Sequence, residues 1–381
     1  MSADVRTVER FQGSELFDDL AQASDFIRRG SAGFSPTRGG RCFDGLELRT
    51  DSWHVEPFRQ RDFPRRSRVP CCGEWTGRQA TRSKSAPLAR YLAACDVVGV
   101  DSVWEERIVS GDVGLFVAYA GVSAGHPLLV IHGGPDWDHS YLREPLAGLS
   151  GTRRLLLPDL RGCGRSSRGL PITEYHPNAV ISDLLGILDT FGIVAADVLG
   201  FSYGGLLAQR LAVTAPERVH RLIIASSSVL PVPADAFSGW QERQDRRAPE
   251  LEIWARSALG PERTRAAALA GARANVWRPE ALPDYLQRLD TVRFSAEWDR
   301  ARSAGTLQSP RIDNPIQALS ATAVPILLLH GRQDMVFPAE LAEQTAAALP
   351  SAEAIVLDEA GHMAHIDQPQ QWLTALEKFL C

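Results

Sequence analysis

The chain of 381 residues holds 41 Lys+Arg against 46 Asp+Glu, a formal net charge of -5, with 44% hydrophobic and 23% charged residues. That ordinary globular balance gives no electrostatic reason to expect nucleic acid as a partner, and no run approaches the ~18 apolar residues of a membrane span. The length allows one large domain with an appendage, or two modest domains.

Charge is unevenly spread. Residues 1–100 carry 16 basic against 13 acidic side chains, and the remainder 25 against 33, so a mildly basic leader precedes an acidic body. The six cysteines, Cys42, Cys71, Cys72, Cys95, Cys163 and Cys381, form no C-x-x-C pair and lack a histidine cluster, so no zinc or other metal site is expected. Scattered cysteines in a large chain imply a reducing compartment, and the expected location is cytoplasmic. The pair Arg28-Arg29 is followed by no apolar segment, as an export signal would require.

In chain order, residues 11–29 read as a short amphipathic helix with Leu16, Phe17, Leu20 and Phe26 on its apolar positions. Residues 31–87 are dominated by Gly, Pro, Ser and Arg, with a basic cluster at Arg59, Arg61, Arg65, Arg66 and Arg68. The expectation for residues 1–99 is an irregular, disordered leader, with docking to an acidic partner as the functional alternative. No methionine lies between Met1 and Met335, so a start near Val97–Val100 is a second expectation for the body.

From about residue 100 the texture becomes strands alternating with helices. Residues 113–120 read as a strand in a hairpin. Residues 127–132 and 154–158 are short, wholly apolar runs that end in glycine-rich turns, as buried strands do. Residues 178–190 are helical, 197–201 a strand, 203–213 a helix, 220–225, 324–330 and 354–357 strands, and 370–380 a closing helix. Such alternation predicts an α/β fold, a mostly parallel doubly wound sheet with helices on both faces. Residues 229–313 break it with helical patterns at 249–259, 262–276 and 280–289, holding Trp240, Trp254, Trp277 and Trp298. The expected division is therefore a leader at 1–99, a core at 100–228 and 314–381, and a helical cap at 229–313 above the carboxyl edge of the sheet. The tryptophans are read chiefly as core.

The strongest local signal is Gly200-Phe201-Ser202-Tyr203-Gly204, followed by Gly205, between an apolar strand and a helix. That is the setting of a nucleophile elbow, in which a serine on a strained turn needs neighbours almost free of side chain. A serine hydroxyl requires a base, and His362 in Glu359-Ala360-Gly361-His362 follows the last strand. The base requires an acid to hold its tautomer, and Asp334 follows the strand before it. Ser202, Asp334 and His362 all fall just after strand carboxyl ends, which a doubly wound sheet brings to one edge. The backbone N–H groups of Tyr203 and of Gly134, in His132-Gly133-Gly134-Pro135, are the expected oxyanion donors, with Gly133 in reserve.

These motifs, together with Asp159-Leu160-Arg161-Gly162-Cys163-Gly164-Arg165-Ser166, resemble the α/β-hydrolase superfamily over residues 100–381. The HGGP turn and the DxRGCGRS loop look most like prolyl iminopeptidases, which remove an N-terminal proline and hold its free amine with acidic cap residues. The resemblance implies Glu242, Asp245, Glu250, Glu252, Glu262 and Glu297 as the cap acids to weigh. Two departures stand out: Asp136 occupies the place of that family's usual glycine after HGGP, and Tyr203 that of its common tryptophan. A serine at the elbow also sets the chain apart from fold members that open epoxides or displace halide with an aspartate.

Other polar residues have plainer readings. His365 is expected to be structural or at the surface, and His132 and His330 to satisfy nearby backbone groups. His139, beside Asp136 and Asp138, is read as a solvated loop or pocket-rim residue, Cys163 as unreactive, and Arg161 as a structural hydrogen-bonding group. The leading expectation is a serine hydrolase, without cofactor, acting on a small ester, lactone, amide or short peptide. A non-hydrolytic acyl transferase, cyclase or lyase, or a ligand-binding protein, are the alternatives on the same scaffold.

Overall fold

Strand alternation sets the architecture. In the computed structural model, which describes residues 104–381, the apolar runs form eight strands: β1 (Glu105–Ser110), β2 (Gly114–Ala120), β3 (Leu128–Ile131), β4 (Leu155–Pro158), β5 (Ala196–Phe201), β6 (Val219–Ala225), β7 (Ile326–Gly331) and β8 (Ala352–Leu357). They make one sheet in the order β1-β2-β4-β3-β5-β6-β7-β8. The hairpin β1–β2 and the pair β2–β4 are antiparallel, and β4, β3, β5, β6, β7 and β8 run parallel.

Successive side chains on a strand point to opposite faces. Leu129 and Ile131 of β3, Val198 of β5, Leu222 and Ile224 of β6, and Ile326 and Leu328 of β7 pack on one face with Val180, Leu184, Leu207 and Leu211. Those partners lie on the helices Pro177–Thr190 and Tyr203–Thr214. Leu128, Val130, Leu199, Phe201, Ile223, Leu327 and Leu329 pack on the other face with Trp372 and Leu376 of the closing helix Pro369–Leu380. A sheet covered on both faces accounts for strands that read as unbroken apolar runs.

Between β6 and β7 the chain forms helices: Gln241–Arg256, Pro261–Ala270, Ala272–Asn275, Leu282–Thr291, Glu297–Ser303 and Pro315–Thr322. The helix read at 249–259 starts eight residues earlier, because Pro249 lies inside the helix and not in its first turn. The turns before it are polar and contribute no buried residue, so no apolar period marks them. The pattern at 262–276 is split at Gly271. The helix read at 11–29, the basic cluster and the leader lie outside the described residues. No helix among the described residues is long and apolar enough to cross a membrane.

Candidate active site

Because β3, β5, β7 and β8 are parallel, the turns that leave their carboxyl ends meet at one edge. Ser202 follows β5 directly and stands at φ 54°, ψ -119°, in the left-handed half of backbone space that side chains avoid. Its amide donates to the Ala225 carbonyl at 2.9 Å, which pins the turn to β6. The turn is possible only without side chains on either side. A Cβ at Gly200 would lie 2.3 Å from the Gly204 carbonyl oxygen, and one at Gly204 would lie 2.1 Å from that of Ile131. Both glycines of the motif thus serve close backbone approach.

The three expected residues come together. His362 Nε2 lies 3.0 Å from Ser202 Oγ, and His362 Nδ1 lies 2.9 Å from Asp334 Oδ2. The carboxylate can only accept, so Nδ1 carries the proton and Nε2 faces the serine as an acceptor. Asp334 is completely enclosed: Oδ1 accepts from the amides of Val336 at 2.7 Å and Phe337 at 3.0 Å, and Oδ2 also lies 3.1 Å from His330 Nε2. Burial opposes its ionisation, but the charge of His362 and the hydrogen bonds from His330 and His362 outweigh this and hold the carboxyl well below its usual range.

Gly133 and Gly134 follow β3 beside the serine. A Cβ on Gly133 would meet Ser202 Cβ at 3.0 Å, and its amide already donates to the Tyr141 hydroxyl at 2.9 Å. Gly134 adopts φ 117°, a conformation suited to glycine. His132 Nδ1 reaches the Gly133 carbonyl at 2.7 Å, while Nε2 accepts from the Leu160 amide at 3.0 Å, so the imidazole serves backbone groups. His330 Nε2 faces both the Phe337 carbonyl at 2.9 Å and the Asp334 carboxylate, so this imidazole serves a backbone group and the acid together.

A cavity of about 180 Å³ opens over Ser202 and His362. Trp137, Trp254 and Trp298 wall it, and Glu250, Asp299, Arg247 and Arg302 bring charge to it. Of the six acids weighed from the sequence, Glu250 lines the cavity. Glu242 pairs with Arg246, Glu252 with Arg256, and Glu297 with Arg300 and the Tyr175 hydroxyl. Asp299 was not among them, because nothing in a short polar helix shows which carboxylate turns inward. Asp299 pairs with both Arg263 and Arg302, and Glu250 lies 3.4 Å from Arg247.

Some readings need correction. His139 is fully buried, not solvated: its Nδ1 lies 2.5 Å from Asp159 Oδ1, and its Nε2 accepts from Arg143. Asp138, His139 and Asp159 have the spacing of a metal cluster. Their atoms are engaged, however, with Asp138 holding Ser140 and the Arg293 amide, and Asp159 holding the Arg165 amide. Of the two readings for His365, structural or at the surface, burial among Tyr141, Phe201 and Trp372 fits the structural one. Burial pushes the Cys163 thiol well up, which suits an unreactive role, and Arg161 grips Asp183 at 2.7 Å. Tyr141 and Asp367 were not foreseen. Asp367 accepts from the amides of Gly361, Trp277 and Arg278 and so ties the His362 turn to the helical insertion.

Comparison with known proteins agrees with this fold. A family model described as alpha/beta hydrolase fold matches residues 126–369. A 2-hydroxymuconate semialdehyde hydrolase of Pseudomonas putida is 28% identical over 263 residues, spanning 67% of this chain and 87% of that protein. A proline iminopeptidase of Heyndrickxia coagulans is 26% identical over 270 residues, spanning 67% and 91%. Among solved structures, the 2-hydroxy-6-oxo-6-phenylhexa-2,4-dienoate hydrolase of Rhodococcus sp. strain RHA1 shares the fold, with a TM-score of 0.56 at 23% identity over 73% of this chain and 99% of that one. The sheet order, the turns at its carboxyl edge and the family match lead to one conclusion: the chain belongs to the α/β hydrolase fold family.

Proposed function

We propose that the chain is a serine hydrolase that cleaves a small ester, lactone or amide through an acyl-enzyme on Ser202. The observation that carries this reading is the continuous chain from Ser202 Oγ through His362 to Asp334, at 3.0 and 2.9 Å, facing a cavity. His362 Nε2 takes the serine proton as Oγ attacks the carbonyl carbon, and Asp334 stabilises the imidazolium that results. The amides of Gly134 and Tyr203 receive the oxyanion, since the Gly133 amide is already committed to Tyr141. His362 then protonates the leaving group. Water, deprotonated in turn by His362, attacks the acyl-enzyme carbonyl, and the acid leaves as His362 returns that proton to Ser202 Oγ.

The cavity, at about 180 Å³, is smaller than the ~300–1,000 Å³ of sites for drug-sized ligands, which favours a compact acyl group. A second reading, cleavage of an N-terminal proline, draws support from Glu250 and Asp299 in the cavity wall. It ranks lower because each of those carboxylates already faces an arginine, which leaves little uncompensated negative charge for a free amine. We further propose that residues 229–313 act as one cap over this site, and that specificity resides there.

The test is labelling by a fluorophosphonate probe in wild type and Ser202→Ala, followed by acetyl, butyryl, prolyl and alanyl chromogenic substrates. Labelling lost in the variant, with ester turnover above prolyl turnover, is the expected result. Absence of labelling in folded wild type overturns the hydrolase reading and turns attention to a lyase or a binding protein.

A further inference from the structure

The loop after β3 carries a carboxylate that the reaction above does not use. Asp136 lies two residues beyond Gly134, is 2% exposed, and borders the cavity. It stands at φ 69°, where a residue with a side chain is strained and a glycine would not be. Its bonds offset that strain, and their donors all belong to residues 295–299 of the helical insertion. Oδ1 accepts from the Ser295 hydroxyl at 2.8 Å and from the Trp298 amide at 3.1 Å. Oδ2 accepts from the Asp299 amide at 2.8 Å, and the Asp136 carbonyl accepts from the Ser295 amide at 2.9 Å.

The same strip is held on both sides of this contact. Asp138 Oδ2 accepts from the Arg293 amide at 2.8 Å, and the rings of Trp137 and Phe294 meet edge to face at 5.3 Å. The strip supplies Trp298 and Asp299 to the cavity wall, while the loop supplies Gly134 to the reaction centre. Asp136 is therefore the side chain that makes most of the bonds joining wall and loop, with Asp138, Trp137 and one backbone bond beside it. Burial pushes the Asp136 carboxyl up, and the Ser295 hydroxyl and the two amides pull the other way.

We propose that Asp136 is a positioning residue that latches residues 295–299 to the oxyanion loop, and so sets how far the acyl-binding wall stands from Gly134. The proposal rests on the hydrolase reading for its catalytic consequence, but not for the latch itself. With the latch cut, the wall drifts, and an acyl chain long enough to touch Trp298 loses its placement. An acetyl group is too short to depend on that wall to the same extent.

The experiment uses the full chain and two variants, Asp136→Gly, which suits the backbone but removes every side-chain bond, and Asp136→Asn, which keeps one acceptor oxygen. Amide hydrogen exchange is followed over residues 293–303, and kcat and KM are measured for p-nitrophenyl acetate and p-nitrophenyl hexanoate. In the glycine variant, exchange at Trp298 and Asp299 is expected to quicken by about tenfold or more, the loss of one buried hydrogen bond. The hexanoate-to-acetate ratio of kcat/KM is expected to fall by about fivefold or more, on the same scale. The asparagine variant is expected between wild type and glycine on both readouts. Unchanged exchange, or equal losses with both esters, overturns the proposal. If the glycine variant does not fold, Ser295→Ala cuts one bond from the other side, and unchanged exchange there overturns it equally. If Ser202→Ala hydrolyses both esters like wild type, the hydrolase reading fails, while the exchange measurement still decides the latch.

Discussion

The Tyr141 hydroxyl accepts a hydrogen bond from the Gly133 amide at 2.9 Å, a contact that ties the loop after β3 to Tyr141 and engages one of the loop's amides. Burial pushes the Tyr141 phenol up, so the group stays neutral at any working pH. In Tyr141→Phe the Gly133 amide loses its partner in a buried place, at a cost of about 1–3 kcal/mol. The loop then has reason to turn, and kcat for p-nitrophenyl acetate should fall by about tenfold with a smaller change in KM. Unaltered kcat would separate Tyr141 from the loop's working geometry.

Asp334 accepts hydrogen bonds on both carboxylate oxygens, two amides on one side and two imidazoles on the other. An asparagine has only one accepting oxygen, so Asp334→Asn must turn an NH2 group toward N–H donors whichever way it lies. The expected result is a fall in kcat of about 10⁴-fold, from the lost hold on the His362 tautomer. Thermal unfolding should also reveal a loss of about 1–3 kcal/mol. Retained fluorophosphonate labelling at the wild-type rate would contradict both the role and the tautomer.

His365 predicts the pH dependence of stability. Burial first, then the positive charge of Arg288, holds its imidazole well below the usual range. In the unfolded chain it binds a proton near pH 6.5, whereas in the folded chain it stays neutral well below that. The unfolded state therefore holds more protons as pH drops under about 6.5, and stability falls with a slope of up to about 1.4 kcal/mol per pH unit from this group. Urea titrations between pH 7.5 and 5 should show a shallower decline in His365→Leu than in wild type. Parallel curves would refute the assignment.

The elbow allows no side chain at its second glycine. Gly204→Ala would place a Cβ 2.1 Å from the Ile131 carbonyl oxygen, a backbone atom that cannot swing aside. The variant should be destabilised by about 4 kcal/mol or more, at the extreme of single substitutions, and should accumulate in the insoluble fraction. A soluble, active variant with an unchanged midpoint would mean that the helix Tyr203–Thr214 stands further from β3 than this 2.1 Å approach requires.

What the sequence revealed follows from how each feature is written in it. The buried strands were legible because both faces are covered, which leaves apolar runs such as Leu128–Ile131 bounded by glycine turns. Ser202, Asp334 and His362 were legible because each follows such a run, and parallel strands bring the ends together without further information. The start of the helix Gln241–Arg256 was not, since its residues are all at least partly exposed and carry no apolar stripe. Asp299 was passed over and His139 misjudged for a related reason: whether a polar residue turns inward depends on partners far along the chain, such as Arg263 and Asp159. Asp136 was conspicuous as a departure from a glycine, but its partners at 295–299 lie well over a hundred residues away and no local pattern announces them.

The backbone contacts beneath the serine carry a consequence for how such a chain changes. At the site floor, main chain touches main chain: Gly204 against Ile131, Gly200 against Gly204, and Gly331 against the Gly361 carbonyl, where an added Cβ would approach to 2.2 Å. At these glycines no side chain can be added, so those backbone contacts are closed to gradual adjustment. Trp254 and Trp298 and the ion pairs of the opposite wall are set on the helices Gln241–Arg256 and Glu297–Ser303. A library aimed at new acyl preferences should therefore vary Val232, Arg247, Trp254 and Arg302, and leave the four turns beneath them untouched.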